Sequence, residues 1–561
     1  MPEEQIQKLE NNQEYIIKRE KTNVINIETT EDFNEALAKY SHLRNYINDI
    51  SRKIGLPEWR TSLDYSLKSK EEFNILYPVG DPIFIHVYKL PTGEIYYNVI
   101  EPELTKEEEE KLEKIQTKIV KYAVENIDLN NIEEVKKTVI DLFNKVVEVG
   151  KRSLFSDKVY IRNKEEYDKL LYFLIRERFG YGFLEPFLRD PYLEDVHILG
   201  LGPIYVVHKI FGMLKTNRKF EDEIQLNKYI IKYSEIVDRP ISETRPIVDA
   251  ILPDGSRVNF IYGKDISLHG SSFTIRKFSA KPLSITQLIS FGTISPEEAA
   301  YLWLAIENGM NIVVSGETAS GKTTLLNALA TFIKPDAKVY SVEDTPELNI
   351  PHKIWQRLVT REVGRSADVS MYDLLVAALR SRPNYILIGE IRGKEGYVAF
   401  QAMQTGHPVM TTFHSGNITS LIERLTGEPI NIPITFIDNL NIAVFTSTVT
   451  IKGKMERRVV SIYEIEKYIA ELKKVAVRRV FSWDSVRDRH IFSGKYNSYI
   501  LEKKIAPLMK IDDKRKIYEI LEYRTKILKR MVEEQIFDFF EVYEILKNFY
   551  INGPSALPFS I

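Results

Sequence analysis

The sequence contains no cysteine. That excludes a disulfide scaffold, a thiolate zinc site and a cysteine nucleophile, and it fits a reducing compartment. It also lacks a surplus of either charge: Lys+Arg number 77 and Asp+Glu 79, for a net charge of −2. A global field able to hold nucleic acid is therefore missing, which leaves room only for a local basic patch. The opening MPEEQIQKLENNQEY has no basic-then-apolar signal peptide. The longest run free of charge, residues 396–422, is studded with Gln401, Gln404, His407, His414 and Asn417, so it makes no membrane span and marks a buried core instead. These absences predict a soluble, cytosolic protein whose membrane contact is peripheral.

Hydrophobic residues make up 44% and charged residues 28% of the 561, which excludes disordered and collagen-like classes. At about 150 residues per domain, the length predicts two to four folded units. Residues 1–130 are charge-dense. KEEEEKLEKIQTKIVKYAVENI (106–127) has apolar residues at helical spacing, its acidic start reads as a solvated face, and a β-hairpin is expected about Pro91-Thr92-Gly93. Residues 131–185 read as helices. From Asp195 short strands take over, with a helix at 223–236 and a turn at Pro253-Asp254-Gly255. The expected division is a mostly helical extension over 1–130, an α+β domain over 131–279 and an α/β domain over 280–561. In that last part, strands NIVVS, KVYSVE, YILIG and VMTTF alternate with helices at 296–308, 322–333, 371–381, 394–404 and 417–426. Near-continuous apolar strands alternating with helices predict a mainly parallel sheet covered on both faces. The tail adds a hairpin, TVTIKGKMERRVVSI, and a charged helical end.

Residues 316–323 fit G-x-x-x-x-G-K-[ST] at every fixed position. Glycines let backbone N–H groups curl around a phosphate, and the following helix N-terminus adds partial positive charge. Lys322 supplies a point charge for the β- and γ-phosphates, and Thr323 offers a hydroxyl to Mg²⁺. The context is the required one, an apolar strand before the loop and the helix KTTLLNALATFI after it. Such a site also needs an acid on the magnesium side and a group to position water. Glu390 ends the strand YILIG where an Asp is usual, and Glu343 ends SVE, with Asp344 and Glu347 beyond; these last two read equally well as loop or helix caps. His407 and His414 bracket VMTTF and read either as core histidines or as a phosphate-sensing pair; without cysteine a zinc site is not expected. Arg245, Arg257 and Arg276 lie in or beside strands of the preceding domain; each alone reads as a surface charge, and the three together read as arginine fingers.

GETASGKTT, SVEDTPEL, ILIGEIR and HPVMTTFHSGN, in this order, resemble the secretion ATPase superfamily, the ring motors of type II and type IV secretion and of type IV pilus assembly. RPIVDAILPDGSRVNFIYG, TIRKFS, SITQLISFGT, RPNYILIGEIR and VAFQAMQTGH are similar to its archaeal branch, closest to the archaellum motor ATPase and archaeal pilus assembly ATPases. The resemblance covers about residues 160–561.

It implies a RecA-like P-loop ATPase domain behind an α+β domain. By the resemblance, Gly316, Glu317, Thr318, Ala319, Ser320, Gly321, Lys322, Thr323 and Thr324 form the Walker A loop, and Glu343 is the general base. Glu390 is the atypical Walker B acid, with Arg392 beside it, and Thr323 and Glu390 hold the metal. His407 and His414 are the His box, and Arg257, Arg276 and, less directly, Arg245 reach the nucleotide. It implies ATP and Mg²⁺, a homohexamer beneath a polytopic membrane platform protein, accessory cytoplasmic motor proteins, no nucleic acid and no structural zinc. The two domains would move about a linker near 279–283. Archaellum, adhesive pilus and secretion machine stay open within the family. A RecA-like nucleic-acid motor is the rival from another class, disfavoured by the net charge.

Overall fold

The computed structural model describes residues 30, 32–64, 67–68, 70–122, 132–150, 157–278, 282–361, 368–451 and 454–561. The chain divides into two compact units, Met1–Phe278 and Ser279–Ile561. Residues 279–281 of the expected linker, and 123–131 about the expected 130/131 boundary, lie outside the described residues.

The first unit is built on a ten-stranded sheet. Its strands are β1 (Glu58–Trp59), β2 (Asn74–Pro78), β3 (Phe84–Lys89) and β4 (Ile95–Ile100); β5 (Val147–Val149) and β6 (Val159–Ile161) form a small separate sheet. Then follow β7 (Leu193–Ile198), β8 (Gly202–His208), β9 (Gly212–Phe220), β10 (Ile247–Ile251), β11 (Arg257–Ile261) and β12 (Ser272–Arg276). The order is β1-β2-β3-β4-β9-β8-β7-β12-β11-β10. The predicted hairpin is β3–β4, and β4 pairs in parallel with β9, so one sheet takes strands from both sides of residue 130.

The helix Lys106–Tyr122 buries Leu112, Ile115 and Ile119 against Leu170, Phe173 and Leu174. Its acidic start is solvated except at Glu108. That carboxylate is buried, accepts from the Thr105 backbone N–H at 2.8 Å and pairs with Lys169 at 2.9 Å.

The second unit holds a nine-stranded sheet, ordered β15-β14-β16-β17-β13-β18-β19-β20-β21. The strands are β13 (Ile312–Gly316), β14 (Val339–Glu343), β15 (Trp355–Val359), β16 (Tyr385–Ile388), β17 (Val409–Phe413), β18 (Ile442–Ile451), β19 (Lys454–Ile469), β20 (Lys474–Asp484) and β21 (Arg489–Phe492). From β15 to β18 every pairing is parallel, and β19 to β21 continue antiparallel. This is the expected mainly parallel α/β sheet. The apolar runs are explained by cover on both faces: in β16, Tyr385 and Leu387 enter one core while Ile386 and Ile388 enter the other. The first core includes the helices Pro296–Glu307, Lys322–Ala330 and Ile517–Glu533; the second includes Met371–Arg380, Glu395–Gln404 and Ile418–Thr426.

The tail hairpin is part of this sheet. β18 pairs in parallel with β13, the strand that leads into the phosphate loop.

Candidate nucleotide site

β13 is wholly buried and delivers Gly316 to the carboxyl edge of the sheet. Only glycine fits there, because a Cβ would stand 2.3 Å from the Thr446 carbonyl oxygen. The chain then turns back through Glu317, Thr318 and Ala319, all exposed, and through the buried Ser320. Gly321, with φ +89°, is the N-cap of the helix Lys322–Ala330, a conformation that glycine adopts without steric cost. Two donors meet one oxygen inside the turn: the Ser320 N–H (3.3 Å) and the Lys322 ammonium (2.8 Å) both reach the Glu317 carbonyl. That convergence of an N–H and a cation suits an anion. Thr323 and Thr324 follow, half-buried, on the first helical turn.

The acids gather at the same edge because their strands are parallel neighbours. Glu343 ends β14 and is buried. One of its oxygens accepts from the backbone N–H groups of Glu347 and Leu348, both at 2.7 Å, and the other accepts from Arg357 Nε at 3.1 Å. Burial pushes its carboxyl above the usual range, with the Arg357 guanidinium pulling the other way. Beyond β16, Gly389 is tied to Val342 at 2.9 Å and Ile391 to Thr412 at 3.2 Å, which holds Glu390 between the ends of β14 and β17. Arg392 Nε donates to Glu390 at 2.9 Å. Burial lowers the affinity of Lys322 for its proton; Glu390 and then Glu347 oppose that, and Arg392 adds to it. These charges therefore share one field.

His414 follows Phe413, which pairs with Ser315 beside the loop, and its carbonyl accepts from Arg424. His407 is not brought to this edge. It precedes β17 at the opposite end of the sheet, its Nδ1 3.1 Å from the Thr405 hydroxyl. Seven residues at about 3.3 Å each put the two histidines ~20 Å apart.

In the first unit, Arg257 and Arg276 are direct cross-strand partners on β11 and β12, both exposed. Arg276 Nε lies 3.3 Å from Asp195, and Arg257 lies 3.9 Å from Asp249. Arg245 is exposed in a short turn, its backbone bridged to Ser242.

Four side chains at the loop or at Glu343 have no role in the sequence reading. Arg357 sits on β15, a strand whose only signal is the short run WQRLV. Thr448 on β18 and Arg457 on β19 belong to the string that reads as a tail hairpin, Thr446 lies two residues before it, and the structure sets all three against the loop.

Fold and loop together define a P-loop ATPase with a RecA-like α/β domain. A family model described as type II/IV secretion system protein matches residues 182–435. An uncharacterised protein of Methanocaldococcus jannaschii is 51% identical over 94% of this chain and 98% of its own length. The type IV secretion system protein VirB11 of Bartonella henselae is 28% identical over 37% of this chain and 67% of its own. Among solved structures, the VirB11 ATPase of the Brucella suis type IV secretion system aligns over 50% of this chain and 92% of its own, at 24% identity and a TM-score of 0.26. The chain belongs to the type II/IV secretion system protein family.

Proposed function

We propose that the chain is a homohexameric motor that hydrolyses MgATP to drive assembly of an archaeal type IV pilus-like filament, the archaellum, from the cytoplasmic face of the membrane. The observation that carries the chemistry is the loop 316–324, with Lys322 in the field of Glu390 and Glu347 at one sheet edge. The choice of filament is supported by the strings RPIVDAILPDGSRVNFIYG, SITQLISFGT and VAFQAMQTGH. No helix among the described residues is long and apolar enough to cross a membrane, so the motor would act through a membrane platform protein, with accessory cytoplasmic motor proteins.

In this mechanism Lys322 and the loop N–H groups bind the phosphates. Glu343 takes a proton from the attacking water once Arg357 yields its place on the carboxylate. Thr323 and Glu390 would hold Mg²⁺; a hydroxyl and a partly exposed carboxylate at one edge are the hard oxygen donors that ion prefers. The ion would offset phosphate charge. His414, just past the strand beside the loop, would report the state of the γ-phosphate. The arginine pair Arg257 and Arg276, exposed and adjacent, is suited to a phosphate on a neighbouring copy, with Arg245 a third contributor. ATP hydrolysis would release that hold and let the units move about the linker. His407 lies too far from the loop to share the phosphate of its own chain and would serve contacts between copies.

The test is Lys322→Ala at the native locus, followed by electron microscopy and swimming assays. Loss of swimming together with its filament supports the archaellum. Survival of swimming with loss of thinner fibres makes the chain a pilus assembly ATPase. Persistence of every filament contradicts the proposal and moves protein secretion to the front.

A further inference from the structure

Ala319 stands at the apex of the phosphate loop with φ +63°. A residue with a Cβ stays in this left-handed region only where its surroundings hold it. The surroundings here are specific. The Ala319 carbonyl oxygen accepts from Arg457 Nε at 2.9 Å and is approached by the Thr448 hydroxyl at 3.5 Å. Thr448 and Arg457 are direct cross-strand partners on β18 and β19, so a single rung of the hairpin supplies both groups. Two residues earlier, on the same side of β18, Thr446 lies 3.0 Å from the Ser320 hydroxyl and donates to the Ser315 carbonyl at 3.3 Å. The pairing of β18 with β19 shifts register between Phe445 and Thr446, the kind of irregularity that re-aims side chains. The stem of Arg457 also runs past the helix N-cap: a Cβ on Gly321 would come 3.2 Å from its Cδ.

Peptide geometry turns this outer grip into an inner effect. In a trans peptide the carbonyl of one residue and the N–H of the next point in opposite directions. Holding the Ala319 carbonyl on the hairpin side therefore fixes the Ser320 N–H on the concave side. There it meets the Glu317 carbonyl that Lys322 also meets, and a phosphate oxygen would take that place. Without the guanidinium, the Ala319 carbonyl keeps only the longer approach of the Thr448 hydroxyl at 3.5 Å, and the loop holds its donor less firmly, so the ligand must organise it at its own entropic cost.

We infer that Arg457 is a positioning residue of the nucleotide site, which locks the 319–320 peptide so that the Ser320 N–H faces the bound phosphate. This rests on residues 316–324 being the nucleotide loop. Arg457 acts through the backbone carbonyl that it holds. The effect belongs to binding, for ATP and ADP alike, rather than to the bond-breaking step.

The test uses the full chain, with Lys322→Ala as the control for the loop itself. Affinity for a fluorescent ADP, KM and kcat for ATP, and Tm are measured for the parent, Arg457→Ala, Arg457→Lys and Lys322→Ala. Arg457→Ala should weaken ADP binding and raise KM by about tenfold, with kcat changed less than about threefold and Tm within ~2 °C of the parent. Arg457→Lys, still able to donate to the carbonyl, should recover most of the affinity. Arg457→Ala binding ADP as the parent does, while Lys322→Ala does not, overturns the inference and leaves the nucleotide loop standing. An affinity loss that tracks a fall in Tm and is not recovered by lysine assigns Arg457 to folding and overturns it too. Lys322→Ala binding nucleotide as well as the parent would remove the loop assignment, and this inference with it.

Discussion

At the scale of single residues, the proposed mechanism rests on the charge of Lys322 and the basicity of Glu343. Lys322→Ala should leave the fold intact, since the ammonium of this half-buried side chain donates to a loop carbonyl, that of Glu317, rather than into the core, and should reduce ATP turnover to background in a phosphate-release assay. Glu343→Gln should still bind ATP and lose at least about a hundredfold in kcat, the usual range for a missing general base. Burial raises the Glu343 carboxyl above the ordinary range, and a base must be ionised to act. The acid limb of kcat against pH should therefore lie higher than for an exposed glutamate. Arg357→Met removes the cation that opposes burial, so the limb should move further towards neutral pH; an unmoved limb would mean that Glu343 is not the group being titrated. The loop, Glu343 and Glu390 were legible in the sequence because each sits at a fixed step from a strand end. Arg357 was not, because Gln356 and Arg357 itself interrupt the apolar run of the strand that carries it.

At the scale of elements, the sheet decides which side chains meet. Parallel strands bring residues that follow a strand to one edge, which gathers Lys322, Glu343, Glu390 and His414; His407, which precedes its strand, is sent to the other. The motif spacing could not tell these two histidines apart, whereas strand direction does. The β18–β19 hairpin was recognisable as a hairpin, but a sequence pattern carries no information on which neighbour a strand will choose. Its place beside β13 is long-range pairing.

The helix Pro296–Glu307 ties stability to pH. Glu298, in its capping box with Ser295, is buried and pushed up to about 8, while His490, 3.5 Å away, is lowered to about 4, burial being the first cause in both. The folded state thus keeps a proton on Glu298 that the unfolded chain gives up above the ordinary carboxylate range. Stability from this group is full at low pH and falls as pH rises through about 8. His490 contributes the opposite slope, between about 4 and its ordinary value of 6.5, so above 6.5 only the glutamate slope remains. Glu298→Gln should flatten the decline in Tm between pH 6.5 and 8; an equal decline in parent and variant would contradict the assignment.

At the scale of the whole molecule, the chain is two units with different tasks. The second unit carries the loop and acids, and the first carries two exposed arginines held side by side by the register of β11 and β12. The α/β class of the second unit was plain from its alternating apolar strands. The sheet of the first unit was less so, because β4 and β9 pair across more than a hundred residues of intervening chain and no local pattern announces that.

The central claim is that ATP is hydrolysed between the loop of one copy and the arginines of another. It is tested most directly by mixing two inactive variants, Lys322→Ala and Arg257→Ala, and measuring ATP turnover of the reassembled mixture. Each variant alone should be inactive, and the mixture should recover a measurable fraction of parental turnover, because some interfaces then pair an intact loop with an intact arginine. A mixture that stays as inactive as its components at every ratio, although the copies assemble together, would contradict a site shared between copies.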